Sequence, residues 1–434
     1  MKKLAIILIL AVAAASASMA RTAKEEIDEH IELAGNQYYA YPTPDTTHYT
    51  KAPKGYKPFY ISTYQRHGSR FLLGKKDYTK PQEVLHKADS LGTLTETGRL
   101  VMQVVDTLEC IARNRYGELT PLGFRQHADV ARRMYHNFPE VFKGRKRIDA
   151  RSTNVIRCVL SMMSECYTLK GCNPQLEIHT DASVADLYYM NNGASSKPNP
   201  LHKLESGKEF KEALEKAKTE LIKPDRIIGE LFTEYDENVM PLAKRRFYSM
   251  LYELAISMQN LDFHEELLPL FTLDECYNSW LYSNYFWYNN CGFSPVTKYA
   301  KPYAHEALLR NIMDTADTII TRGGDAATLR FGHDGILLPL AALMHIDNCA
   351  YEAKNMDDLA EHWRSYTMFP MACNIQIIFF KTKKASDPVL VKIMLNEKES
   401  KLPIDAINGV YYEWDKVKAY WTDTVLAAKP NFEE

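Results

Sequence analysis

Phe59-Tyr60-Ile61-Ser62-Thr63-Tyr64-Gln65-Arg66-His67-Gly68-Ser69-Arg70 decides how this chain folds and where its chemistry gathers. The part from Phe59 to Tyr64 is rich in aromatic and β-branched side chains, which predicts a buried strand that ends where the arginines begin. In open α/β sheets, ligands bind beyond the carboxyl ends of the strands. Arg66 and Arg70 are permanent cations whose planar forks of donors match phosphate oxygens. Two nearby like charges lower the pKa of the imidazole between them, so His67 stays neutral and nucleophilic. A lone histidine beside arginine is more often a surface residue, so this reading requires further anion ligands at equivalent strand ends.

Two such places exist. Arg147-Ile148-Asp149-Ala150-Arg151-Ser152-Thr153-Asn154 precedes a helical pattern of Val155, Ile156, Val159, Leu160, Met162, Met163 and Cys166 that closes at Gly171. Ser152, Thr153 or Asn154 can cap that helix, which puts Arg151 at a strand-to-helix turn. Leu329-Arg330-Phe331-Gly332-His333-Asp334-Gly335 likewise leads into Ile336, Leu337, Leu340, Leu343 and Met344 at helical spacing, with His333 and Asp334 in the turn. Helix N-termini carry unpaired N–H groups and a positive dipole end, so both turns suit an anion.

RHGSR, DARSTN and FGHDGILLPL, in this order, resemble the signature of the histidine acid phosphatase family, which includes phytases, acid phosphatases and multiple inositol polyphosphate phosphatases. The stretch Glu118-Leu119-Thr120-Pro121-Leu122-Gly123-Phe124-Arg125-Gln126 is similar to another family segment. By its own physics it is a packing helix start, with Thr120 at the N-cap and Pro121 at the first helical position. The resemblance implies that His67 is the nucleophile and forms a phosphohistidine. It implies too that Arg66, Arg70, Arg151 and His333 hold the phosphoryl oxygens and that Asp334 protonates the leaving alcohol. Two departures bear on substrate. Phe71-Leu72-Leu73 follows the first motif where many phytases have proline, as in the inositol polyphosphate phosphatase branch, whereas His333-Asp334-Gly335 is more similar to the acid phosphatases.

The expected fold is α/β: a large domain with a central, mostly parallel sheet flanked by helices (21–175 and 305–434), plus a smaller, mainly helical insertion (176–304). Helical patterns at Glu209–Ile222 and Arg245–Leu261 fill the insertion, and Ile375–Phe380 with Val389–Leu395 reads as a hairpin turning at Asp387-Pro388. The aromatic group Trp280, Tyr282, Tyr285, Phe286, Trp287 and Tyr288 suits core packing better than a carbohydrate-stacking surface, because aromatics at helical spacing usually fill an interior.

A composition of 46% hydrophobic and 25% charged residues over 434 positions is that of a soluble chain with a large core. A net charge of −2 without a face-long basic run argues against nucleic acid as a partner. The local basic clusters are Lys75-Lys76 and Arg145-Lys146-Arg147; each reads first as a solvated face, with Lys75 and Lys76 alternatively touching further phosphates. Residues 1–20, with Lys2, Lys3, an apolar run from Leu4 to Ala15 and Ser18-Met19-Ala20, have the pattern of a cleaved export signal too short to span a membrane. Periplasmic or secreted localisation follows, without membrane insertion.

Eight cysteines permit disulfides or buried thiols alike. Without a close Cys/His pairing, a P-loop or GxGxxG, no metal and no nucleotide cofactor is expected. The leading functional reading is an exported phosphomonoester hydrolase acting on phytate or other inositol polyphosphates. The alternatives are a general acid or sugar phosphatase of the same family, a phosphoglycerate-mutase-like phosphotransferase, and a phosphosugar-binding protein without catalysis.

Overall fold

Strand β1, Lys57–Arg66, forms where the aromatic run predicts it, in a computed structural model that describes residues 21–45, 48–263 and 265–431. The export signal expected at 1–20 lies outside the described residues. β1 lies in an eight-stranded sheet with β2 (Arg147–Ser152), β3 (Glu177–Asp181), β4 (Ala327–Gly332), β5 (Asn374–Lys381), β6 (Leu390–Leu395), β7 (Lys398–Glu399) and β8 (Tyr411–Glu413). The order is β3-β2-β4-β1-β5-β6-β7, with β8 also on β6. The core strands β3, β2, β4 and β1 run parallel, as expected; β5 pairs antiparallel with β1, and β6 returns on β5 as the predicted hairpin.

The parallel register aligns the strand ends. Arg66 lies opposite Gly332, and Ser152 opposite Phe331, so β1, β2 and β4 stop at one level and their loops emerge along one edge. Each face of the sheet is covered. The longer helices among the described residues are α1 (Lys75–Ser90), α2 (Glu96–Ala112), α3 (Pro121–Asn137), α4 (Ile156–Cys172), α5 (Lys208–Leu221), α6 (Lys244–Ser257), α7 (Leu273–Cys291), α8 (Glu306–Arg322) and α9 (Asp334–Leu343). The side chains of β1 alternate between the two layers. Ile61 packs with Val130, Met134 and Met162 of α3 and α4, while Tyr60 and Tyr64 pack with Leu308, Ile312 and Leu337 of α8 and α9. A third core joins α1 and α2 to α6 and α7, so the helices after β3 share their interior with helices that precede β2.

The loop after β1 is set by a backbone-to-backbone approach. Thr120 caps α3 by accepting from the Gly123 N–H, and Pro121 fills the first helical position, as the sequence predicts. A Cβ on Gly123 would overlap the Ser69 carbonyl oxygen, and one on Gly68 would overlap the Gly123 carbonyl, so both glycines are required by space. Thr120 N–H and hydroxyl both donate to Ser69 O, at 2.9 and 3.1 Å.

Gly123→Ala is therefore expected to destabilise the protein by about 1–3 kcal/mol, the usual cost of forcing an extra methyl into a packed contact. Gly229→Ala, in the short helix Asp225–Leu231 with open space around it, should instead be neutral or stabilising by up to about 1 kcal/mol. Urea unfolding midpoints check the assignment: that of Gly123→Ala should fall, and that of Gly229→Ala should stay at or above wild type.

Candidate active site

Two histidines follow directly from the register. His67 and His333 each come one residue after paired strand ends, and the His67 N–H donates to Gly332 O at 3.0 Å, continuing the β1–β4 ladder into the loops. Their rings lie 5.8 Å apart, edge to face. His67 Nδ1 is 2.9 Å from its neighbour's carbonyl, Gly68 O. A carbonyl oxygen only accepts, so Nδ1 carries the proton and the Nε2 lone pair is left for chemistry.

Three guanidiniums surround this imidazole. Arg66, fully buried, donates to Phe369 O at 2.9 Å and pairs with Asp334 Oδ2 at 2.7 Å. Arg70 donates to Phe71 O at 2.9 Å and sits 5.3 Å over the Tyr38 ring. The third is Arg157, in the first turn of α4, with a long bond of 3.4 Å to Gly117 O. The buried Nε atoms of all three have no acceptor among the described residues. Buried donors in native proteins are nearly always paired, so three unpaired ones around one imidazole are unusual.

Burial, then Arg66, Arg157, Arg70 and His333 in turn, hold the His67 pKa well below the usual histidine range. Burial and Arg157 bring His333 down to about 4. Burial pushes the Asp334 carboxyl up, but Arg66 and Arg70, with the Gly335 N–H bonded to Oδ1 at 2.8 Å, outweigh it and leave the pKa below its ordinary value. Both histidines therefore take up protons more readily in the unfolded chain, so their contribution to stability falls as the pH drops below about 6.5, and for His333 continues to fall to about 4.

Of the residues singled out in the sequence, Arg66, His67, Arg70, His333 and Asp334 converge here. Arg151 does not. β2 runs through Ser152, so Arg151 is a strand residue instead of a turn residue, and it lies on the same strand face as Asp149. There it pairs with Asp149, Asp181 and Asp186 at 3.0, 3.0 and 3.4 Å. The predicted cap is also displaced: α4 begins at Ile156, without a side-chain cap, and Thr153 turns its hydroxyl to His333 Nε2 at 3.2 Å. Arg157 stands where the expectation placed Arg151. Its signal in the sequence was a cation in the first helical turn, between Ile156 and Cys158 in an otherwise apolar pattern.

A second set of residues braces the loop from behind. Ser69 N–H donates to Gln126 Oε1 at 2.8 Å, Gln126 Nε2 donates to Ser69 Oγ at 2.9 Å, and that hydroxyl donates to Asn260 Oδ1 at 2.7 Å. His127, fully buried, reaches Arg66 O at 3.0 Å and Glu165 at 3.3 Å. Lys75 and Lys76 are exposed at the start of α1, four to five residues beyond Phe71. Arg145 and Arg147 pair with Glu177 and Asp325 at the opposite end of β2. No disulfide joins any of the described cysteines, and no helix of the described residues is long and apolar enough to cross a membrane.

This fold and this cluster define the class. The chain belongs to the histidine phosphatase superfamily (branch 2), whose family model matches residues 62–396. Among solved structures it is similar to the Bifidobacterium longum multiple inositol polyphosphate phosphatase in complex with phosphate, with a TM-score of 0.75 at 16% identity over 90% of this chain and 97% of that one. That protein has also been solved with inositol hexasulfate. The phytase from D. castellii aligns with a TM-score of 0.64 at 13% identity, over 91% of this chain and 85% of its own. No curated relative matches the sequence.

Labelled histidine in the whole protein tests the electrostatics directly. The His67 ring should keep the 15N shifts of the neutral Nδ1–H tautomer from about pH 7 down to about pH 5, through the range where an ordinary histidine titrates near 6.5. A transition near that value would contradict the burial and charge described for it.

Proposed function

We propose that this protein is an exported phosphomonoesterase that works through a phosphohistidine at His67, with phytate or other inositol polyphosphates as its substrates. The observation that carries the reading is the His67 ring: its Nδ1 is committed to Gly68 O, and three arginines with unspent buried donors surround it. In the first step Nε2 attacks phosphorus, the P–O bond to the alcohol breaks, and the leaving oxygen takes a proton from Asp334. In the second step water attacks phosphorus, Asp334 takes the proton of that water, and the N–P bond breaks to release phosphate. Arg66, Arg70, Arg157 and His333 hold the phosphoryl oxygens as charge spreads over them, the type of stabilisation worth about 10²–10³-fold for each donor removed.

The ion pair between Arg66 and Asp334 gives the acid its timing. A phosphoryl group entering the pocket competes for Arg66, and a monoanionic ester brings a proton that the released carboxylate accepts. Carboxylic acid and neutral imidazole are thereby available together at acidic pH, as general acid and nucleophile require. The exposed Lys75 and Lys76 side chains, four to five residues beyond Phe71, support a substrate with more than one phosphate. A phosphatase of simpler sugar phosphates remains the second reading, supported by the acid-phosphatase-like His333-Asp334-Gly335.

Arg157→Ala should lower kcat/KM for a phosphate monoester by about 10²–10³-fold, whereas Arg151→Ala should stay within a few-fold of wild type. Equal losses in the two variants would return Arg151 to the site. His67→Ala should fold and lose turnover, and acid-labile, base-stable phosphate should be recovered from quenched wild-type protein alone. Asp334→Asn should lose far more activity on alkyl esters than on activated aryl phosphates, whose leaving groups need little protonation. Phytate incubated with the enzyme, with glucose 1-phosphate as competitor, decides between the substrate classes by which one releases phosphate.

A further inference from the structure

The peptide that joins Arg66 to His67 is held at both of its polar ends. Its N–H, belonging to His67, donates to Gly332 O at 3.0 Å, and its carbonyl, belonging to Arg66, accepts from His127 Nε2 at 3.0 Å. A carbonyl oxygen only accepts, so Nε2 of His127 carries a proton, and Nδ1 faces Glu165 Oε2 at 3.3 Å. The other Glu165 oxygen accepts from Gln65 Nε2 at 2.8 Å. His127 of α3 and Glu165 of α4 thus grip two successive residues of β1, Gln65 by its side chain and Arg66 by its backbone.

With both ring nitrogens and both carboxylate oxygens engaged by the protein, the pair has nothing to offer a substrate. Stability is not a sufficient reason for it either. Both side chains are fully buried, and a buried pair of this kind loses hydration, so that apolar residues of similar volume in its place are often neutral or stabilising. What the pair supplies is geometry. The plane of the Arg66–His67 peptide sets where the His67 Cα–Cβ bond points, and the Nδ1 contact with Gly68 O then sets the ring about that bond. An error of about 1 Å in the aim of a reacting atom costs on the order of 10²-fold in rate.

We propose that His127, oriented by Glu165, is a positioning residue: through the Arg66 carbonyl it fixes the peptide from which His67 springs, and so aims Nε2 at phosphorus. The inference rests on the phosphohistidine reading. The double variant His127→Phe with Glu165→Met keeps a ring packed on Phe331, 5.6 Å away, and leaves no carboxylate without a partner. Its kcat on a phosphate monoester should fall about 10²-fold with KM little changed, because Arg70 and Arg157 hold the ground state from other peptides. The same split should appear without turnover. Inorganic phosphate needs only the arginines and should bind the double variant as it binds wild type. Vanadate, which mimics the transition state once Nε2 occupies its fifth position, should lose about 10²-fold in affinity. His127→Gln, which returns an N–H donor to Arg66 O, should restore most of both. His127→Asn keeps a donor for Glu165 but falls short of Arg66 O; it should show the loss and decides the matter should the double variant fail to fold. Parallel weakening of phosphate and vanadate, or wild-type kcat and vanadate affinity in a folded variant, overturns the proposal. Wild-type protein that binds neither anion and carries no phosphate on His67 overturns the phosphohistidine reading, and the proposal with it.

Discussion

The in-register parallel pairing of β1 with β4 is the constraint on which the site depends. Because Arg66 faces Gly332, the next residue of each strand is a histidine at the same height, and two imidazoles separated by more than 260 positions in the chain become neighbours. A slip of one residue would turn His67 to the other face of the sheet. Gly332 secures the pairing, since any side chain there would collide with the Tyr64 hydroxyl, itself anchored on Met190 O at 2.9 Å.

Charge is gathered at this level against its own repulsion. Arg66, Arg70 and Arg157 face one paired carboxylate, Asp334, around two histidines whose pKa values are depressed. Buried cations lacking full compensation are unfavourable, so the cluster is held by what lies behind it: the in-register sheet, the Gln126–Ser69–Asn260 bonds and the His127–Glu165 pair. An anion that enters supplies the missing partners and adds its binding free energy to the stability of the folded state.

Much of this was legible in the sequence. β1, the β5–β6 hairpin, the capped start of α3 and the His333-Asp334 turn follow from strand composition, alternation and capping residues, which are local signals. Arg151 reads as a turn residue from the sequence but lies within β2, because its placement depends on a boundary, and strand ends blur by a residue or two. One added residue of β2 was enough to give the pocket Arg157 from the helix and leave Arg151 among carboxylates. The aromatic run of α7 has the spacing of an interior face, and Trp280 and Tyr288 are buried.

The contact of Gly68 with Gly123 makes two short stretches a single heritable unit. The loop that carries His67 has its shape only because a second backbone lies against it with no side chain between. Recombination between related chains at a breakpoint between 71 and 119 would part the two, and a graft of RHGSR alone onto a foreign scaffold would carry the letters of the motif without the surface that bends it.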